Sequence, residues 1–311
     1  MAEDRKSLTQ YRSPGTWPVW IGLGALWLVC KLPHAAALAI GRGLGLLAHA
    51  VARSRRAVVR RNIELCFPEL STDERDVLAK DHFRALGMSI IEMGLSRWAS
   101  DEHHRKLGRL EGLEHLTHAM QDGRGVILLA AHFTTLEIMG SLLSLELEFD
   151  AVYRRNRSPF ITELLRSGRE RHAVNTIEKR DIKAMVRRLK KGGAVWYAPD
   201  QSYDRKGSEV IPFFGVPSMH TTATSTLARL GDAAVLPFFP RRESDGSYTY
   251  TILPALDNFP SGDPVADTER YVALMETHIR SCPEQYFWVH KKFKNLPDEY
   301  PDYYADLDAL K

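Results

Sequence analysis

Short apolar runs alternate with segments of helical periodicity through most of this chain, and that alternation restricts its fold more than any other feature. GVILLAA (125–131), FDAVYR (149–154), AVWYAPD (194–200) and AAVLPFFP (233–240) read as buried strands. SPFITELLRSGRERHA (158–173), DIKAMVRRLKKGG (181–193) and HTTATSTLARLGD (220–232) read as the helices between them, the second stopping at Gly192-Gly193. SYTYTIL (247–253) alternates apolar and polar and reads as a more exposed, antiparallel member. DTERYVALMETHIRSC (267–282) reads as a further helix and QYFWVH (285–290) as a final strand. Residues 71–100 form a long helix opened by a capping box, Ser71 to Glu74. The fold class is therefore α/β: a three-layer domain whose mostly parallel, mixed sheet is flanked by helices. With 311 residues, one large domain and an appendage fit: an N-terminal segment over 1–61 and a main domain over 62–311.

Charge separates the same two regions. Residues 1–61 hold ten Lys/Arg against two Asp/Glu, and the remainder holds 32 against 37. The main body is therefore slightly acidic, which disfavours a general nucleic-acid-binding surface. WPVWIGLGALWLVC (17–30) is uncharged and carries three tryptophans. A second apolar stretch, broken by Arg42, leads to the cluster Arg53, Arg55, Arg56, Arg60 and Arg61. Three readings stand. One is a membrane anchor, spanning or lying in the interface, with the arginines on the cytoplasmic side. One is a signal peptide cut near Ala35-Ala36-Ala37, which the arginines just beyond would oppose. The third is a core helix of a soluble protein. Cys30, Cys66 and Cys282 fit no metal or disulfide spacing.

In doubly wound sheets reactive residues collect where strands end, and His132, Arg154 and Asp200 each follow an apolar run, so the three share one expected rim. Glu137 follows His132 by five residues. On a continuous helix that separation turns two side chains about 140° apart. If the strand ends near Ala131 and a helix begins at Thr134 or Thr135, however, the chain bends the histidine back towards the glutamate. Glu137 would then either hold one ring nitrogen while the other takes a proton, or merely close a capping box with Thr134. His103 and His104 show no ligand spacing and read as surface residues; His290 reads as core packing.

The motif HFTTLE (132–137) resembles the H-x4-D/E signature of the glycerolipid acyltransferase superfamily. FPEL (67–70), GMSIIEMG (87–94), VYRRN (152–156), LKKGGAVWYAPDQSYDRKGS (189–208), LARLGDAAVLPFFPRR (227–242) and PEQYFWVHKKFK (283–294) are similar, in order, to segments of the lipid A biosynthesis acyltransferases of Gram-negative bacteria. The hexapeptide alone is weak; the ordered set is specific and covers about residues 60–300. One departure is Arg155, where relatives often carry proline after the arginine; it bears on how the chain turns after Arg154 and not on the presence of the arginine. The resemblance implies an N-terminal inner-membrane anchor and a cytoplasmic catalytic domain. It implies transfer of a lauroyl- or myristoyl-type chain from acyl carrier protein to the hydroxyl of a hydroxyacyl chain on a lipid A precursor, with no metal or nucleotide cofactor.

In that chemistry an alcohol attacks a thioester. His132 is the candidate base, Glu137 its orienting carboxylate, and Arg154 the candidate donor to the oxyanion, or else a structural ion pair. Asp200 is a candidate to orient Arg154, bind a sugar hydroxyl or cap a turn. Arg205 and Lys206 are candidates for a phosphate on the acceptor, against a solvated loop. Arg187 to Lys191, with Arg166, Arg169 and Arg171, offer a basic face to an acidic carrier protein, or a plain solvated surface. Lauroyl and myristoyl groups differ by two methylenes, about 1.6 kcal/mol at roughly 0.8 each, so one side chain could set that choice. The rival functions are a phospholipid or glycolipid acyltransferase, a thioester hydrolase, and a non-catalytic membrane adaptor on the same scaffold.

Overall fold

A computed structural model describes residues 8–121, 123–173, 175–203 and 207–310. The N-terminal region is helical: α1 (Trp17–Val29), α2 (His34–Val51) and α3 (Arg53–Cys66) precede the long α4 (Thr72–Trp98). The Ser71 hydroxyl caps α4 and Glu74 reaches back to the Ser71 backbone, so the capping box forms as its sequence predicts. Next come α5 (Asp101–Leu107), β1 (Gly108–Glu111), α6 (Leu113–Gln121) and β2 (Gly125–Leu129). The alternating body continues through α7 (Leu136–Leu143), β3 (Phe149–Tyr153), α8 (Pro159–Arg169), β4 (Asn175–Glu178), α9 (Ile182–Leu189) and β5 (Ala194–Tyr197). A hairpin, β6 (Ser208–Phe213) and β7 (Val216–Thr221), leads to α10 (Ala223–Gly231), β8 (Ala233–Arg242), β9 (Tyr248–Ile252) and α11 (Pro264–Ser281).

Seven strands form one sheet in the order β1-β9-β8-β2-β5-β3-β4, and β6 pairs with β7 apart from it. All pairings in the large sheet are parallel except β8 with β9, the antiparallel contact expected of SYTYTIL. Side chains of β2 alternate between two cores. Ile127 and Leu129 pack with α3, α9, α10 and α11; Val126 and Leu128 pack with α4, α6 and α7. The result is the three-layer architecture predicted from the alternation.

The structure differs from the sequence reading in places. QYFWVH is not a strand. Tyr286 makes one isolated bridge to Phe133, after which the chain turns to bury Trp288, whose indole nitrogen donates to Pro283 O at 2.6 Å. Its aromatic alternation thus reflects two buried rings packed across the loop after β2. His220 and Thr221 end β7 and do not start α10. β1, β4 and the β6–β7 hairpin are too short or too polar to have stood out. His104 is fully buried on α5, contrary to its reading as a surface residue.

At the N-terminus, α2 is 18 residues long and apolar enough to cross a membrane by length and composition. One of its faces lies directly on α4. A Cβ at Gly45 would overlap the Phe83 carbonyl, and a Cβ at Gly87 would overlap the Gly41 carbonyl, so only glycine allows this backbone approach. Its other face exposes Ile40, Leu44, Leu47 and Val51, and α1 exposes Trp17, Trp20, Ile21, Trp27 and Leu28. The division at 61/62 falls inside α3, which buries Val58, Val59, Asn62 and Ile63 in the body.

Candidate active site

β2 and β5 are parallel neighbours, so the residues that follow them emerge side by side at the carboxyl edge of the sheet. His132 follows β2 and Asp200 follows β5. The Asp200 Oδ1 lies 2.6 Å from His132 Nδ1, and Oδ2 accepts the His132 backbone N–H at 3.1 Å. One carboxylate therefore fixes both the ring and the main chain that carries it. Oδ2 also accepts the Tyr286 hydroxyl at 3.0 Å. Asp200 is buried, and burial works against its ionisation. The adjoining His132 and the ammonium of Lys292 outweigh that and hold its carboxyl well below the usual carboxylate range. With Asp200 ionised, Nδ1 is the protonated nitrogen and Nε2 the lone-pair nitrogen. Nε2 has no hydrogen-bond partner among the described residues, and the His132 side chain is 29% exposed.

The loop from His132 to Thr135 is tied down from the far end of the chain. Thr134 N donates to Gln285 O at 2.8 Å, and Phe287 N donates to His132 O at 3.0 Å. α7 begins at Leu136, and neither Thr134 nor Thr135 caps it through its hydroxyl, so the second expected capping box is absent.

Glu137 does not hold the His132 ring. It sits in the first turn of α7 and pairs with Arg169 of α8, Nη2 to Oε1 at 2.5 Å and Nε to Oε2 at 3.2 Å. The orienting carboxylate comes from the neighbouring strand, a partner that the spacing within HFTTLE could not reveal. Glu137 and Arg169 border a narrow, mostly apolar cavity of about 30 Å³ between α7 and the sheet, lined also by Met139, Phe149, Ala151 and Trp196.

Arg154 follows β3, the strand beyond β5, and is exposed on the same edge. At about 4.8 Å per strand its backbone stands roughly 10 Å along the edge from that of His132. Arg155 beside it pairs with Glu178 at 3.0 Å. Arg205 and Lys206 lie outside the described residues. His290 is half-buried, and its carbonyl accepts from Asn62 at 2.8 Å.

The basic face divides. Arg166 pairs with Glu163 and Glu170, Arg169 with Glu137, and Arg171 donates to the Arg97 and Ala99 carbonyls, so these three are engaged internally. Lys183, Arg187, Lys190 and Lys191, on and just beyond α9, remain exposed.

Sequence reasoning missed Tyr286 and Lys292 as supports of Asp200, although both lie in PEQYFWVHKKFK. A lysine within an aromatic run at the end of an α/β domain was the available signal.

A carboxylate-held imidazole with a free nitrogen at the edge of an α/β sheet suits proton abstraction from a hydroxyl. Similar proteins are named for acyl transfer in lipid A biosynthesis. The lipid A biosynthesis lauroyltransferase of Escherichia coli (strain K12) is 36% identical over 305 residues, covering 96% of this chain and 98% of that protein. The palmitoleoyltransferase of the same strain is 36% identical over 290 residues, 93% of this chain and 94% of that protein. The myristoyltransferase of that strain is 25% identical over 306 residues, 97% and 95% respectively. The family described as bacterial lipid A biosynthesis acyltransferase matches residues 5–295. With that match across nearly the whole length, the chain belongs to the lipid A biosynthesis acyltransferases and is an acyltransferase.

Proposed function

We propose that this enzyme transfers a lauroyl- or myristoyl-type chain from acyl carrier protein to the hydroxyl of a hydroxyacyl chain on a lipid A precursor, with His132 as the general base. The observation that carries the proposal is the 2.6 Å contact between His132 Nδ1 and Asp200, which leaves Nε2 without a partner among the described residues on a partly exposed side chain. Nε2 takes the proton of the attacking hydroxyl as its oxygen bonds to the thioester carbonyl carbon. Asp200 stabilises the imidazolium that forms. The tetrahedral oxyanion collapses, the carbon–sulfur bond breaks, and the proton passes from His132 to the leaving thiolate. General-base assistance of this kind contributes roughly 10²- to 10⁴-fold. Arg154 is assigned to the oxyanion, where a charged donor adds roughly 10²- to 10³-fold. The acyl chain is assigned to the apolar cavity beside Glu137, which must widen to receive it.

The remaining roles follow from exposure and charge. α9 presents Arg187, Lys190 and Lys191 to the acidic carrier protein. Arg205 and Lys206 are assigned to a phosphate of the acceptor. Residues 1–61 act as the anchor at the bacterial inner membrane, with the catalytic domain on the cytoplasmic side. Because one face of α2 is committed to α4, we place α1 and α2 in the interface, with Leu44 and Leu47 turned to lipid and Arg53 to Arg61 at the headgroups.

The test is to incubate the full-length protein with acyl carrier protein thioesters of several lengths and a tetra-acylated lipid A precursor, then weigh the products. One added acyl group, lost in a folded His132→Ala variant, is expected. Undiminished transfer by that variant would overturn the role of His132, and release of free fatty acid without acceptor would favour a hydrolase.

A further inference from the structure

A buried ammonium lies against the main chain of Asp200, the residue whose carboxylate holds His132. Lys292 is 2% exposed. Its Nζ donates to the main-chain oxygen of Asp200 at 2.6 Å, stands 3.3 Å from His220 Nε2, and lies 4.7 Å from the centre of the Phe213 ring. It therefore meets a carbonyl, an imidazole and an aromatic face where a buried cation would ordinarily meet a carboxylate. His220 is itself held, its Nε2 2.8 Å from the Ser218 hydroxyl. His220 of β7 and Phe213 of β6 thus meet the ammonium that holds the Asp200 backbone.

We propose that Lys292 is a positioning residue for acyl transfer: its ammonium fixes the main chain of Asp200 and weakens the hold of that carboxylate on the His132 imidazolium. The proposal rests on the reading of His132 as the base. Asp200 lies between two positive claims, Lys292 on one side and the His132 imidazolium on the other. With Lys292 charged, Asp200 is neutralised in part and stabilises the imidazolium less. The imidazolium then passes its proton to the departing thiolate more readily.

The groups facing Lys292 are Asp200, His220, Cys66 of α3 and Glu276 of α11; those facing His132 are Asp200 and His290. Glu276 is engaged by the Phe214 backbone N–H at 2.7 Å, and the Cys66 thiol is pushed up by burial. Asp200 is thus the carboxylate through which Lys292 reaches His132. Burial draws Lys292 down to about 8, against the pull of Asp200, which places its charge within an accessible pH range.

The experiment titrates His132 directly. Full-length protein in detergent, labelled with ¹³C at histidine Cε1, is followed by NMR from about pH 5 to 10, with the signal assigned by loss in His132→Gln. Lys292→Gln keeps a donor for the Asp200 carbonyl without the charge, and Lys292→Met keeps the bulk. Both are expected to raise the His132 midpoint by about one pH unit, as for a charge removed a few ångströms away. The acid limb of kcat/KM should move with it, and kcat should fall about tenfold with KM changed less than about twofold. In the unaltered protein the His132 signal should show a second, smaller inflection wherever Lys292 loses its proton, a midpoint measured independently by ¹⁵N NMR of its Nζ. An unmoved midpoint in folded variants, or no second inflection in the unaltered protein, overturns the proposal. If neither variant folds, the second inflection decides alone. Retained transfer by His132→Ala would instead overturn the base reading, an outcome this titration does not depend on.

Discussion

Arg169 grips Glu137 through two nitrogens, at 2.5 and 3.2 Å, and keeps it from the imidazole five residues earlier. Both carboxylates near His132 are therefore occupied, but by different partners. Asp200 serves the ring, and Glu137 ties α7 to α8 at the mouth of an apolar cavity. Their removal should have different consequences.

Asp200→Asn removes the charge that stabilises the imidazolium and the acceptor that selects its tautomer. In hydrolase triads the corresponding change costs about 10⁴ in kcat, and a loss of roughly 10³- to 10⁴-fold is expected here. Steady-state kinetics with mass analysis of the acylated product measures it, and circular dichroism confirms that the variant is folded.

Glu137→Gln should act chiefly on stability, leaving Arg169 without its partner. Both side chains are about one-quarter exposed, so the loss is about 1–2 kcal/mol, below that of a fully buried pair. In a double-mutant cycle, Glu137→Gln with Arg169→Gln should be less destabilised than the two single changes summed. Denaturant unfolding reads this out.

Lys292 predicts a pH dependence of stability. Its folded value, about 8, lies below the roughly 10.4 of an unfolded lysine, so between them the unfolded chain binds more protons. Stability therefore rises with pH across that window, by up to about 3 kcal/mol from this group. Buried tyrosines and Cys66 oppose the trend, so the quantity to measure is the unfolding free energy of the unaltered protein minus that of Lys292→Met from pH 8 to 10.

Leu44→Glu and Leu47→Glu alter the exposed face of α2 and leave its glycine face on α4 intact. Each is expected to weaken vesicle binding about tenfold or more, as burial of a leucine is worth roughly 1.5–3 kcal/mol. Flotation with liposomes measures the effect. Gly45→Val, by contrast, should lower the unfolding midpoint, at an overpacking cost of about 1–3 kcal/mol.

Arg187→Glu with Lys191→Glu reverses charge on the exposed end of α9. KM for acyl-carrier-protein thioesters should rise about tenfold at low salt, and rates with a short acyl-pantetheine thioester should stay unchanged. Equal loss with both donors would remove α9 from the docking surface.

The architecture was legible because β2, β3, β5 and β8 are apolar runs between amphipathic helices, and local pattern suffices for such elements. β1 and β4 are four-residue edge strands with half-exposed faces, and carry little pattern of their own. The edge holding His132, Arg154 and Asp200 was also legible, since each follows a recognisable strand. The pairing of His132 with Asp200 was not, because it depends on strand order: β5 enters the sheet beside β2 although β3 and β4 come between them in the chain. QYFWVH misled for a related reason. Its alternation answers to Phe133 and the loop after β2, and local periodicity does not distinguish that surface from a sheet edge.

The loop carrying His132 is held by Gln285 and Phe287, and Asp200 by Tyr286 and Lys292. A single segment, residues 285–292, thus supports both members of the His132–Asp200 pair from more than eighty positions further along the chain. All seven strands of the large sheet precede that segment, so a chain lacking it would keep every strand while the imidazole lost these contacts. Truncation before Gln285 is therefore expected to cost acyl transfer at once, whatever it leaves of the sheet.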